Sequence, residues 1–420
     1  MKKYLTARAL LFVAAFFCFL PSYTQIVIGD SASPMEKYAA KELQRYVYQL
    51  SGDWSEIVSD SDKSEDFRFI VGKPESNRFV ADLKKRDVIR LDQSENYGQG
   101  YTLKTLNRAG DKYIVIAGED DTGVLYGVYG LLEDHFGIGF YFSGDVLPED
   151  KQPLVLPNVD IQKQPAMKIR GFLPWTNFPQ SATSYSWKDW KYIIDQAAKM
   201  RMNFILVHNY NGELGHNEPF HNFEYKGYMS RVWMPTAHTG HSWGAPGWDV
   251  NEYLFGATDF FDDYDFGSDC ALHNKNLSNQ QVFRKGVSLF QKVIDYAHSR
   301  GVKMGLGLDI NIIPEDYETS ADNPEVVAAR VDQVARDYPD LDYLFCFQSE
   351  NVGKNPEFFK EWKQIFDGFY EGIKKQSPGT QVAVSGWGID PASIETLPED
   401  VIVAPIAPYS AGFENGSIYG

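Results

Sequence analysis

Between Lys168 and Ala407 the chain repeats one pattern, in which a short apolar run is followed by a loop, a stretch of helical period and another apolar run. That rhythm constrains the fold more than any other feature. A strand, a helix and a second strand close into a right-handed βαβ unit, and successive units build a parallel sheet. The predicted strands are Lys168 to Leu173, Asn203 to Tyr210, Lys303 to Ile310, Leu341 to Glu350, Gln381 to Gly386 and Val401 to Ala407. The predicted helices are Trp187 to Met200, Val282 to Ser299, Pro324 to Tyr338 and Pro356 to Lys375. Leu341 to Phe347 is apolar on both faces, as befits a strand inside a helix-covered parallel sheet. The expected class is α/β, with a (β/α)8 TIM barrel over residues 165–420 whose last two strands lie beyond Gly420. The alternative is an open, doubly wound sheet, which ordinarily carries a Gly-rich phosphate turn that this stretch lacks.

In such a barrel the catalytic face is built at the C-terminal ends of the strands, and polar or aromatic residues recur there. The ends read Pro174-Trp175-Thr176-Asn177, His208-Asn209-Tyr210-Asn211, Asp309-Ile310-Asn311, Gln348-Ser349-Glu350, Ser385-Gly386-Trp387 and Pro408-Tyr409-Ser410. Any one of these is ordinary turn chemistry, and Glu350 alone would serve equally as a cap for the helix near Pro356. Their recurrence at every strand end argues instead for a site. Amide, hydroxyl, imidazole and carboxylate groups between Trp walls suit a carbohydrate, whose hydroxyls both donate and accept hydrogen bonds. The candidate catalytic residues are Glu350 and Asp309. The candidate sugar-binding residues are Trp175, His208, Asn209, Trp243, Gln348, Ser349, Trp387 and Tyr409. No strand end supplies Arg or Lys, and Arg231 in the long loop is the nearest cation, so a neutral or N-acetylated sugar is expected.

A formal charge of −17 repels a phosphate backbone and argues against nucleic-acid binding. Lys2, Lys3 and Arg8 precede the apolar run Ala9 to Leu20, which is too short for a membrane span and reads as a signal peptide ending near residue 24. The mature chain is therefore expected outside the cytoplasm, secreted or periplasmic, with the cell surface as a further location. Cys18 follows Phe16-Phe17, larger than the residues that precede a lipidated cysteine. Cys270 and Cys346 imply no disulfide framework.

Residues 25–160 read as a smaller α/β domain. Ile26 to Gly29 is a strand, Ser33-Pro34 starts a helix carrying Tyr38, Leu43, Val47 and Leu50 at helical spacing, and Ser51-Gly52 ends it. Phe67 to Val71 is a strand, Tyr101 to Leu106 and Tyr113 to Ala117 form a hairpin, and Val124 to Phe136 is a helix. A linker is expected near Leu154 to Pro165. The loop Asn211 to Gln280 holds His216, His221, His238, His241 and His273, but no pair has the H-E-x-x-H spacing, so no metal is expected, with a metal-dependent hydrolase using these histidines as the alternative. The alternating carboxylates of Asp263 to Asp269 lack EF-hand spacing and read as a solvated turn. No cofactor is implied.

The helix core Ala40 to Gln44, the strand end Val71-Gly72 and the run Gly127-Val128-Tyr129-Gly130-Leu131-Leu132 leading to Phe140-Tyr141 resemble the domain preceding the barrel in bacterial α-glucuronidases and some β-hexosaminidases. Gln348-Ser349-Glu350, with Gly353 and Pro356 following, is similar to the A-N-S-E-G strand end of glycoside hydrolase family 67. Gln348 stands in place of the family's Asn and Asn351 in place of its Gly. The resemblance implies general-acid catalysis by Glu350 and inversion at the anomeric carbon. Glycosidic cleavage needs a second carboxyl group. In the family its counterparts lie on later strands, whereas the sixth strand end, Ala404 to Tyr409, has no acid. Asp309 is the best candidate among the residues present, and orienting the sugar is its alternative role; the missing acid on the sixth strand leaves a non-catalytic glycan-binding protein on the same scaffold as the alternative to an exported glycoside hydrolase. Burial beside Phe347 and Trp387 is expected to raise the pKa of Glu350.

Overall fold

The computed structural model describes residues 24–62, 67–91, 97–174, 187–209, 224–225, 228–229, 279–311, 313, 320–348, 355–386 and 394–405. The chain divides into two compact units. One is made of Met1–Asp92, Gly100–Ile138 and Leu147–Lys163, the other of Gln93–Gln99, Gly139–Val146 and Gln164–Gly420.

The first unit runs β1 (Thr24–Ile28), α1 (Pro34–Ser51), β2 (Ser55–Ser59), β3 (Phe67–Gly72), α2 (Arg78–Lys85), β4 (Tyr101–Arg108), β5 (Asp111–Gly118) and α3 (Asp121–Phe136). Helix α1 starts where the sequence signals it. Ser33 and Glu36 form a reciprocal capping box with Pro34 just inside, and Gly52 closes the helix in the left-handed conformation at φ 82°, a backbone geometry that glycine adopts without a Cβ penalty. Val80 and Leu83 of α2 pack with Val27, Ile70, Val115 and Ala117 on one sheet face. On the other face, Gly127 of α3 lies so close to Ile116 that a Cβ there would come within 2.9 Å of its methyl group.

The chain then forms a hairpin of β6 (Gly139–Tyr141) and β7 (Gly144–Val146), which belongs to the second unit. It returns to the first as β8 (Asp160–Lys163), antiparallel to β4. The first sheet has the order β2-β1-β3-β5-β4-β8. Strand β8 corrects the expectation of a linker over Leu154 to Pro165. Its residues are mostly exposed, so no apolar alternation marked it as the edge strand it is. Strand β2 and helix α2 lie outside the expected elements, being only five and eight residues long.

The second unit continues with β9 (Gly171–Phe172), α4 (Trp187–Lys199), β10 (Phe204–Asn209), the hairpin of β11 (Glu224–Tyr225) and β12 (Tyr228–Met229), α5 (Asn279–His298), β13 (Lys303–Asp309), α6 (Pro324–Asp337), β14 (Tyr343–Gln348), α7 (Pro356–Gln376), β15 (Gln381–Gly386) and β16 (Ile402–Pro405). Strands β9, β10 and β13 to β16 form one parallel sheet of six whose order is the order of the chain. A doubly wound sheet reverses its order at a switch point, and here no reversal occurs. Right-handed crossovers in one direction lay every helix on the same face and leave the other to curl inward as a barrel wall. The open-sheet alternative is thereby set aside.

The inward face is a cluster of Phe204, Leu206, Tyr343, Phe345, Phe347 and Ala383, flanked by Ile169, Leu173, Ile402 and Ala404. Phe204 lies edge-on to Tyr343 at 5.1 Å between ring centroids. Gly305 makes room for it, since a Cβ at that position would stand 3.0 Å from the Phe204 ring.

Candidate active site

Strand register assembles the C-terminal rim. Asp309 pairs with Phe347, Phe347 with Ser385, and Ser385 with Ala404, forming one row across β13 to β16. Asp309 alternates with Gly305 and Gly307 on the inward face and is 3 % exposed. The Ser385 hydroxyl donates to the Ala404 carbonyl oxygen at 2.5 Å, tying the last two strands together. Gln348 alternates with Leu344 and Cys346 on the opposite, helix-covered face and is 1 % exposed. Its Oε1 is buried with no hydrogen-bond partner among the described residues. Gly386, its register partner, could carry no larger residue without strain, because its φ is 150° and an added Cβ would lie 2.5 Å from the Gln348 carbonyl oxygen.

Behind this row, two buried side chains reach back from the helices to the strand ends. Arg330 of α6, fully buried, donates from Nη1 to the Ile310 carbonyl oxygen at 2.6 Å and from Nη2 to that of Asp309 at 3.5 Å. Its guanidinium sits 5.2 Å from the Phe369 ring centroid. Burial pushes its pKa down to about 10, against the upward pull of Cys346 and Asp309, which leaves it charged at neutral pH. The Cys346 thiol is pushed up to about 12 by burial, opposed by the Arg330 charge, so it is an inert core group. Trp362 of α7, also fully buried, donates Nε1–H to the Phe347 carbonyl oxygen at 2.9 Å. Neither residue was singled out in the sequence, although Arg330 falls on the apolar stripe of Val326, Val327, Val331 and Val334, an unusual place for a cation.

Of the candidate site residues, Asp309 and Gln348 are thus placed at adjacent strand ends, on opposite faces. His208 and Asn209 end β10, paired with Gly307 and Leu308. Trp175, Trp243, Ser349, Glu350, Trp387 and Tyr409 lie outside the described residues, as do the histidines of the long loop and the carboxylates of Asp263 to Asp269. Among the described residues no cluster of three or more His, Cys, Asp or Glu side chains is assembled. No helix among them is long and apolar enough to cross a membrane.

The architecture defines a class, in which a small α/β domain is followed by a barrel of parallel strands wound in one direction. Residues 18–131 match the model of the glycosyl hydrolase family 67 N-terminus, in line with the likeness carried by the Ala40 to Gln44 helix and the Gly127 to Leu132 run. Two solved structures share the fold. A GH138 enzyme targeting pectin rhamnogalacturonan II is 14% identical with a TM-score of 0.53, over 91% of this chain and 48% of its own. The GH20 chitobiase of Flavobacterium johnsoniae is 13% identical with a TM-score of 0.51, over 91% of this chain and 51% of its own. The chain therefore spans about half the length of each. Comparison with curated protein sequences gives no match.

Proposed function

We propose that this chain carries the sugar-binding rim of an exported glycosidase, with Glu350 as the proton donor and Asp309 as the second carboxyl group. The observation that carries the reading is the placement of Asp309. It is a buried acid on the inward face, at the C-terminal end of a parallel strand, and its register partner Phe347 stands three residues before Glu350. The family 67 N-terminal match supports it, and so does the shared fold with two glycoside hydrolases. The basic and then apolar pattern of the first residues supports the exported part of the reading. The absence of Arg and Lys from the strand ends favours a neutral or N-acetylated sugar.

In this mechanism Glu350 protonates the departing glycosidic oxygen as the bond to the anomeric carbon breaks, while Asp309 either activates water or attacks that carbon. The test is leaving-group dependence. Glu350→Gln is expected to lower turnover of an oligosaccharide by about 10²- to 10⁴-fold, the usual worth of a general acid. It should do far less to a 2,4-dinitrophenyl glycoside, whose leaving group departs without a proton. Asp309→Asn should impair both substrates. Equal losses on both substrates for Glu350→Gln would remove the acid role, and full activity in that variant would remove the site.

A further inference from the structure

Helices α6 and α7 each follow the strand they support. Each directs one buried polar side chain to the backbone at the end of that strand. Arg330 is bonded to the carbonyl oxygens of Asp309 and Ile310, and Trp362 to that of Phe347. Strand β13 carries Asp309, and strand β14 leads into Glu350.

Arg330 is not explained by packing. Taking a guanidinium out of water is costly unless its donors are met, and a leucine would fill an apolar helix stripe without that penalty. Nη1 and Nη2 donate to strand-end carbonyls, and the planar face lies over Phe369, a geometry that fixes the fork rather than leaving it to wander. Trp362 is similarly committed. Its ring stacks between Phe359 at 6.0 Å and Phe366 at 5.2 Å, which holds its single N–H on the Phe347 carbonyl oxygen.

We propose that Arg330 and Trp362 are positioning residues, pinning the backbone at the ends of β13 and β14 and so fixing Asp309 and the strand end from which the sequence runs on to Glu350. This rests on the reading of those two residues as the site's acids. Neither pin needs to touch the sugar. The consequence is kinetic, because a displacement of about 1 Å at a reacting group can lower the rate about 10²-fold.

The experiment uses the full chain with Trp362→Phe, which keeps a ring and deletes the N–H, and with Arg330→Lys and Arg330→Met. Each is measured for thermal midpoint and for kcat and KM on the 4-nitrophenyl glycoside the unmodified chain hydrolyses fastest. Backbone amide hydrogen exchange is followed in parallel. The expected result for Trp362→Phe is a kcat at least 10-fold lower with KM within twofold, and faster exchange confined to the end of β14 at Phe347 and Gln348. Arg330→Met should do the same at Asp309, Ile310 and Asn311, with Arg330→Lys recovering part of kcat. A kcat that falls only in proportion to the folded fraction, or exchange that rises throughout the second unit, overturns the proposal. If the unmodified chain hydrolyses no glycoside, the glycosidase reading fails by itself. The exchange data then decide whether the pins exist, with unchanged exchange at both segments overturning them.

Discussion

Asp145, in the hairpin of β6 and β7, is the residue through which a segment far back in the sequence is fastened to the first helix of the barrel unit. Its Oδ1 and Oδ2 accept from the Lys199 ammonium at 3.0 and 2.9 Å, and its Oδ1 also accepts from the Gln196 amide at 3.1 Å. Gln196 donates as well to the Tyr141 carbonyl oxygen at 2.6 Å. The Lys199 side chain is 8% exposed and that of Asp145 18%, so the pair is screened far less than a surface ion pair. Removing one partner of a buried pair destabilises by about 3–5 kcal/mol. The residual exposure of Asp145 brings the expectation for Asp145→Ala to about 2–4 kcal/mol. Lys199→Met removes the charge but keeps most of the stem, so it should be milder, and the double variant should lose less than the sum of the two. The assay is urea unfolding followed by tryptophan fluorescence, analysed as a double-mutant cycle. A coupling energy of about 1 kcal/mol or more is expected. A value near zero would refute the view that the hairpin is held by this pair rather than by its backbone contacts.

Two further perturbations follow from the same geometry. His298 is hydrogen-bonded to Asp342 at 2.7 Å, and that bond raises its pKa above the usual imidazole value. The stabilisation it contributes is therefore complete below about pH 6.5, the unfolded value, and is lost as pH rises through the higher folded value. The thermal midpoint should drop across that window in the unmodified protein and less so in His298→Gln, and identical slopes would discount the pair. Gly130→Ala would put a Cβ 2.2 Å from the Tyr101 hydroxyl oxygen, and overpacking of this kind costs about 1–3 kcal/mol. Tyr101→Phe should restore part of the loss, and absence of any destabilisation would mean α3 has freedom to move away from β4.

Local chemistry made the elements legible. The capping box of Ser33 and Glu36, the Asn and Pro pairs opening α6 and α7, and the doubly apolar run of β14 each act within a few residues, so they are visible without knowing the fold. The barrel strands and helices accordingly fall close to their expected limits, with β9 shortened to Gly171–Phe172. The candidate Asp309 was visible for the same reason, as an acid ending an apolar run.

Other features have no local signature. Edge strand β8 is held by its pairing with β4 rather than by its own residues. Hairpin β6–β7 belongs to the second unit, where Asp145 meets Lys199 across 54 positions, a relation that no periodicity encodes. The sequence alone determined the barrel strands and helices and which residues would stand at those strand ends, because hydrophobic period and capping are short-range. Only the tertiary structure decided the strand order, the face on which Asp309 and Gln348 each lie, and the use of Arg330 and Trp362 as anchors. These depend on register and packing between segments that meet only once the chain has closed on itself.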